Sequence, residues 1–328
     1  MPYPLTHDYY PRHITMMNFA DWRVLLSIAT YGLLIFFMVK NWQKRSLLSF
    51  GIAFYLITLS IVSNLSITVG TNMAERFVFM PSVGFCIVLA FLLEKLGQIF
   101  NLKNVLSHYL LVAIVVAFGA KTVLRNLAWK DDYTLFTTDI RTSGNSAKLL
   151  TSVAGKTIER FMDDKTELRA IKIEQAIRYL ERAVSIHRYK NPYLLLGNAH
   201  LYLEHFDDAI KNYETALSFD PNFGDAKNNL AIAYREGGKY YGQIRNDIGK
   251  AVQYFTKSLS INPNDGQVYS YLGTCYGIAA QYEKSAEVLE KALALRFDKR
   301  DAENLSLSYR NIGDAEKAAF WAKKSKNE

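Results

Sequence analysis

The chain has 328 residues, half of them apolar in type and 21% charged, with a formal charge of +8 and a mean hydropathy close to zero. Lys and Arg are interleaved with Asp and Glu through the second half, which argues against a basic nucleic-acid-binding block. The two cysteines, Cys86 and Cys275, stand far apart in unlike surroundings. That spacing argues against a disulfide framework or a metal site, and both read as small packing residues.

Residues 1–22 form a polar segment, and the region 23–124 that follows carries charge-free runs over 24–39, 46–74, 77–93 and 104–120. Each is near the roughly 20 residues that a helix needs to cross the hydrocarbon layer. The runs are apolar all round, whereas soluble helices confine apolar residues to one stripe. Four membrane-spanning helices are therefore predicted, at about 24–40, 47–67, 77–96 and 105–124. The first run does not read as a cleaved signal peptide, because a long polar segment precedes it and no small-residue cleavage pattern follows.

Orientation follows from the short loops. Lys40, Lys44 and Arg45 lie between the first two runs, and Lys95 and Lys103, offset by Glu94, lie between the last two. Between the second and third runs stand only Glu75 and Arg76. The positive-inside rule places the first and third loops in the cytoplasm, so the N-terminus, the Glu75–Arg76 loop and everything after residue 120 face outward. Lys121 and Arg125, on the outer side of the last run, oppose this assignment.

The stretch TNMAERFVFMPSVGF, residues 71–85, sets that Glu-Arg pair at the mouth of an apolar run that then carries Pro81. At the membrane surface the pair need not be buried in lipid, and an arginine there meets a phosphate bidentately. Pro81 is expected to free a backbone carbonyl and bend the helix beneath. An ordinary helix-end ion pair fits the same residues equally well.

After a linker at 125–145, small residues recur with one internal spacing: Ala176, Leu180, Ala183; Ala209, Tyr213, Ala216; Ala251, Phe255, Ser258; and Ser285, Leu289, Ala292. Upstream stand Leu196-Gly197 with His200, Leu230-Ala231 with Tyr234, and Leu272-Gly273 with Tyr276; Pro221 and Pro263 close two units. The pattern resembles the tetratricopeptide repeat, a helix pair of about 34 residues. About five units are read across 146–328. The first, near Asn145, is degenerate and stretched over 161–169; the third is stretched over 237–249; the last, with Leu305, Gly313 and Ala318, is partial.

The fold class is thus all-α: a four-span transmembrane helical region followed by a tetratricopeptide-repeat α-solenoid. Such solenoids present a concave groove that docks an extended peptide or partner helix. Asn198, Asn228, Asn229 and Arg235 fall on or near that groove by repeat position, where amides and a guanidinium grip a backbone or carboxylate. Ordinary solvated polar residues are the simpler explanation. Tyr213, Tyr234 and Tyr276 read as repeat core.

A family resemblance adds to these readings. AERFVFMPSVGF is similar to a motif of the transmembrane-and-tetratricopeptide-repeat mannosyltransferases and their bacterial relatives in the GT-C glycosyltransferase class. PLTHDYYPRHI with DWRVLL resembles an outward loop and span start of that family. RNLAWKDDYTLFTTDIRTSGNSAK resembles its link into the first repeat, with Arg125, Trp129 and Asp131 at the family's arginine, tryptophan and aspartate.

The resemblance implies a sugar donor carried on polyprenyl phosphate and an acceptor that is usually a protein hydroxyl; no cofactor is evident in the sequence. It also implies a membrane lipid or lipid-linked sugar as partner, beside a protein or peptide in the groove. His7, Asp8, Arg12, His13, Glu75, Arg76 and Arg125 share the outward face, where Arg76 or Arg125 is a candidate to hold the carrier phosphate and Asp8 or Glu75 to orient an acceptor hydroxyl. No residue is assigned as the catalytic acid, which the family places in its first outward loop. On this resemblance the chain starts inside the family's mid-chain loop, and the half carrying that acid is expected upstream of Met1, in a longer product or lost from a shortened protein. Purified alone, the chain is expected to transfer no sugar.

Two other readings stay open: a non-catalytic membrane-tethered scaffold whose repeats recruit proteins, and an envelope sugar-polymer ligase, which the Glu-Arg and Pro-Ser motif fits poorly. The loops and unpaired cysteines point to a bacterial inner membrane with periplasmic repeats. Asn304-Leu305-Ser306, a glycosylation-type triplet, would suit an endoplasmic-reticulum membrane protein.

Overall fold

A computed structural model describes residues 17–63, 75–99 and 104–327. Its described residues are helical with no strand, and they divide into two compact units, Met1–Lys156 and Thr157–Glu328.

The first unit holds α1 (Trp22–Lys40), α2 (Leu47–Val62), α3 (Phe79–Ile99), α4 (Asn104–Asn126) and α5 (Asp132–Asp139). Asp21 caps α1 by accepting the Arg23 N–H at 2.8 Å, and Ser46 caps α2 by accepting the Leu48 N–H at 3.2 Å. No residue of α1 is buried, and Leu25, Leu26, Ile28, Leu33 and Phe36 are all exposed. An apolar surface of that extent is unstable in water and suits lipid. Trp22 and Trp42, both exposed, bracket α1 where interfacial aromatics are favoured.

Polar side chains on these helices are satisfied locally, as hydrocarbon demands. Thr30, Thr58, Ser60, Ser82 and Thr122 donate to carbonyls three or four residues back at 2.6–2.8 Å. Ser49, buried in α2, instead donates to the Met38 carbonyl of α1 at 3.0 Å.

Three of the predicted spans are long and apolar enough to cross a membrane: Trp22–Lys40, Phe79–Ile99 and Leu111–Lys130. The second differs from expectation: α2 has 16 residues, about 24 Å at 1.5 Å per residue against about 30 Å of hydrocarbon. Residues 64–74, into which it was expected to run, lie outside the described residues. Pro81 also behaves differently. A 3-10 turn over Glu75–Val78 passes into α3 at Phe79, so the proline sits in the first helical turn, where its missing N–H would have had no partner. It starts the span instead of bending it.

α2 and α3 cross at two glycines. A Cβ on Gly84 would lie 2.6 Å from both the Gly51 carbonyl oxygen and the Tyr55 nitrogen. Only glycine permits backbones that close, and helices packed in lipid gain dispersion contact and little else from such an approach.

Beyond α4 the backbone tightens into a 3-10 turn over Leu127–Lys130, and Asp131 caps α5 by accepting the Thr134 N–H at 2.7 Å. α6 (Ala147–Phe161) follows, with Ser146 accepting the Leu149 N–H at 3.1 Å.

The second unit continues through α7 (Leu168–Ile186), α8 (Lys190–Tyr202), α9 (Phe206–Phe219), α10 (Gly224–Lys239), α11 (Ile248–Ile261), α12 (Gly266–Ile278), α13 (Tyr282–Leu295), α14 (Lys299–Ile312) and α15 (Ala315–Asn327). The pairs α8–α9, α10–α11, α12–α13 and α14–α15 are the repeat hairpins. All four small-large-small triplets are buried, with Ala176, Leu180, Ala209, Tyr213, Ala251, Leu289 and Ala292 at zero exposure. Gly197 explains why one small residue is needed: a Cβ there would lie 2.4 Å from the Tyr213 ring. Where serine replaces alanine in a triplet, its hydroxyl stays inside the hairpin. Ser258 donates to the Ala231 carbonyl and Ser285 to the Gly273 carbonyl, both at 2.9 Å.

The hairpin turns repeat too. Glu204, Asn246, Ala280 and Gly313 have positive φ, at 60°, 54°, 57° and 94°, each at the residue next to a second helix or its cap. Only one is glycine, so packing holds the other three in a conformation that costs an L-residue about 1–2 kcal/mol. The stretch in the third repeat is a π-helical turn over Tyr240–Ile244, and Gly237 and Gly238 before it give room to the rings of Tyr254 and Phe255.

Candidate functional site

The first helices of the pairs carry the groove candidates. Asn198 on α8 accepts from the Tyr213 hydroxyl and from Asn229 Nδ2, both at 2.8 Å, so its Oδ1 ties α8, α9 and α10 together. Arg235 is half-buried on α10; its Nε donates to Glu236 at 2.9 Å and its Nη1 lies 3.6 Å from Asp265, the cap of α12. Asn228 alone of the four is exposed. Sequence position put these residues on one surface, and the structure shows three of them already holding successive hairpins in register.

A second kind of tie also recurs. Tyr234 donates to Glu214 at 2.7 Å and Tyr309 to Glu290 at 2.5 Å, each joining a first helix to the second helix of the preceding hairpin. Burial and the adjacent carboxylate push the Tyr309 hydroxyl up to about 12, so it remains a donor at any physiological pH.

Asp207, at the start of α9, collects three donors: Lys250 Nζ and the Tyr241 hydroxyl, both at 2.8 Å, and the Tyr254 hydroxyl. Partial burial raises its carboxyl, but the hydrogen bonds from Lys250, Tyr254 and Tyr241 outweigh that and hold it below the usual range. A carboxyl depressed on folding stabilises above the ordinary aspartate value, about 4, and loses that contribution as pH falls through the folded value. Asp207→Asn is expected to cost about 1 kcal/mol at pH 7, a modest figure because half the side chain meets water. Thermal melts at pH 7 and pH 3 should show the gap between mutant and wild type closing in acid; a gap independent of pH would refute this account.

In the first unit Arg125, near the end of α4, makes a bidentate pair with Asp139 at the end of α5: Nη1 to Oδ1 at 2.6 Å and Nη2 to Oδ2 at 3.1 Å. The carboxylate is 1% exposed. To hold a carrier phosphate with the same two nitrogens, Arg125 would have to abandon a buried anion, so the geometry gives it a clasping role. Asp131 is the α5 cap, and Trp129 is exposed beside it. Nothing in the spacing of 14 residues marks Asp139 as the partner. Glu75 and Arg76 open the 3-10 turn before α3; their side chains, like all of His7, Asp8, Arg12 and His13, lie outside what is described.

Apolar helices of membrane-spanning length ahead of a helical-hairpin solenoid define an all-α membrane protein with tetratricopeptide repeats, a fold used for binding proteins and peptides. The tetratricopeptide repeat family model matches residues 191–223, which span α8 and α9. Over 258 residues the chain is 28% identical to "Protein O-mannosyl-transferase TMTC3" of Mus musculus, covering 75% of this chain and 27% of the relative. The Homo sapiens protein of that name is 28% identical over 75% of this chain and 26% of its own length. "Protein O-mannosyl-transferase TMTC4" of Homo sapiens is 29% identical over 40% and 18%. The chain thus spans about a quarter of the length of the TMTC3 relatives. Among solved structures, "Crystal structure of YrrB: a TPR protein with an unusual peptide-binding site" is 17% identical, with a TM-score of 0.40 over 58% of this chain and 90% of that one.

Proposed function

We propose that this protein serves protein O-mannosylation: a membrane-anchored repeat domain of GT-C type that holds the acceptor polypeptide while a polyprenyl-phosphate sugar approaches from the bilayer. One observation supports this above the rest. The second unit makes up only about half the chain, so a similarity that covers 75% of it must run from the apolar helices into the repeats. Many proteins share tetratricopeptide repeats; far fewer share them in series with the same apolar segment.

In this reading the repeats lie outside the cytoplasm, in the periplasm of a bacterial inner-membrane protein, as the loop charges argue. Arg76, with Asp8, Arg12, His13 and Glu75, lies on that face and meets the carrier phosphate or acceptor hydroxyl. Arg125 holds the link to α5. Asn228 faces the acceptor.

A photo-crosslinking residue in place of Asn228, in the full chain in cell membranes, tests the proposal. Captured polypeptides are expected to carry O-linked mannose on serine or threonine, read by mass spectrometry. Capture of polypeptides without the sugar would overturn the glycosylation role and leave a scaffold.

A further inference from the structure

The α8–α9 hairpin breaks a pattern that the other three keep. One residue before the first small residue of each second helix stands Lys250, Lys284 or Lys317, and each ammonium sits over a tyrosine ring: Tyr241 at 3.8 Å, Tyr276 at 5.7 Å and Tyr309 at 4.8 Å. At the same position on α9 stands Asp208. Where Tyr276 and Tyr309 close the first helix of their hairpins, α8 has His200. Where Gln281 and Asp314 precede the second helix, the residue is His205. At these three positions the α8–α9 hairpin carries two imidazoles and a carboxylate.

The geometry is that of a ligand set. One donor atom from each of His200, His205 and Asp208 lies within 4.8 Å of the others, and the two rings are 5.9 Å apart. The turn fixes this: the His205 N–H donates to the His200 carbonyl at 2.9 Å across left-handed Glu204. His205 and Asp208 are three residues apart at the start of α9 and so share its face. Zinc bonds of about 2.0–2.1 Å would draw tetrahedral donors to about 3.4 Å apart. That demands small rotations of His205 and Asp208, which are both exposed, while His200 stays anchored in the last turn of α8.

His200 itself points to a missing partner. Its Nδ1 is buried without a hydrogen-bond partner, a costly state for an imidazole nitrogen in a protein interior.

We infer that the turn between α8 and α9 is a divalent transition-metal site, with His200, His205 and Asp208 as ligands, suited to Zn2+ and leaving a coordination position open. Two nitrogens and one carboxylate favour zinc over the hard cations magnesium and calcium, which take oxygen ligands. The sequence reading, which sought metal ligands among cysteines, expects none; the register of the repeats exposes this set instead.

The test is zinc titration of the chelator-stripped full chain in detergent, by calorimetry and thermal melting. The expected result is one zinc per chain at micromolar or lower Kd, with a midpoint several degrees higher in excess zinc. His205→Gln should weaken binding at least tenfold. The triple variant His200→Tyr, His205→Gln, Asp208→Lys, which installs the fourth repeat's own residues, should abolish binding with unchanged helix content. Failure of the wild type to bind at 100 µM zinc would overturn the inference, as would unchanged affinity in His205→Gln or displacement of zinc by millimolar magnesium.

Discussion

Replacing Gly84 with alanine is expected to force α2 and α3 apart. The new methyl would meet the Gly51 carbonyl oxygen and the Tyr55 nitrogen at 2.6 Å, and both belong to backbone that no rotamer change can move. Overpacking of this kind costs about 1–3 kcal/mol where side chains yield, and a backbone obstacle lies at or beyond the upper end. Gly51→Ala should be milder, because its nearest neighbours are the Val88 and Ile87 side chains at 2.9 and 3.0 Å, with the Gly84 carbonyl at 3.1 Å. Gly32 and Gly119, with nothing within 4 Å, should accept alanine with little change. Unfolding by titrated denaturing detergent would rank the four variants; a Gly84→Ala midpoint equal to those of the two open sites would refute the crossing.

Arg125→Ala is expected to be as damaging for another reason. It takes the guanidinium from a carboxylate that is 1% exposed, and breaking a buried pair from one side costs about 3–5 kcal/mol. Arg125→Lys keeps the charge but loses the fork that spans both Asp139 oxygens, and should fall between wild type and alanine. Replacing both partners with apolar residues should recover much of the loss, since no orphaned charge remains. Protease susceptibility of residues 127–146, with the unfolding midpoint, follows the series. If Arg125→Ala leaves the link as resistant as the wild type, the clasp is not what orders it.

Apolar runs and repeat spacing were legible because both are periodic and local. A helix surrounded by lipid needs apolar residues on every side, and a stacked hairpin needs small residues where helices touch, so the 24–40 run and the Ala209, Tyr213, Ala216 triplet declare themselves without knowledge of any neighbour. Pro81 lies nearer the helix start than its place in the apolar run suggests, because the start of a helix depends on where the preceding turn lets it begin. That start is set by the chain around it.

Composition and periodicity alone determined that the chain is all-α, that its first region is built for lipid, and that its second is a stack of hairpins. Tertiary structure decided which polar groups are spent. Asn198 and Asn229 hold adjoining helices, Arg125 is given to Asp139 across 14 residues, and Asp207 gathers Lys250 from a helix 43 residues away. Hydrogen bonds and ion pairs act over about 3 Å of space and take no account of distance along the chain. No pattern of spacing reveals them until the helices are packed.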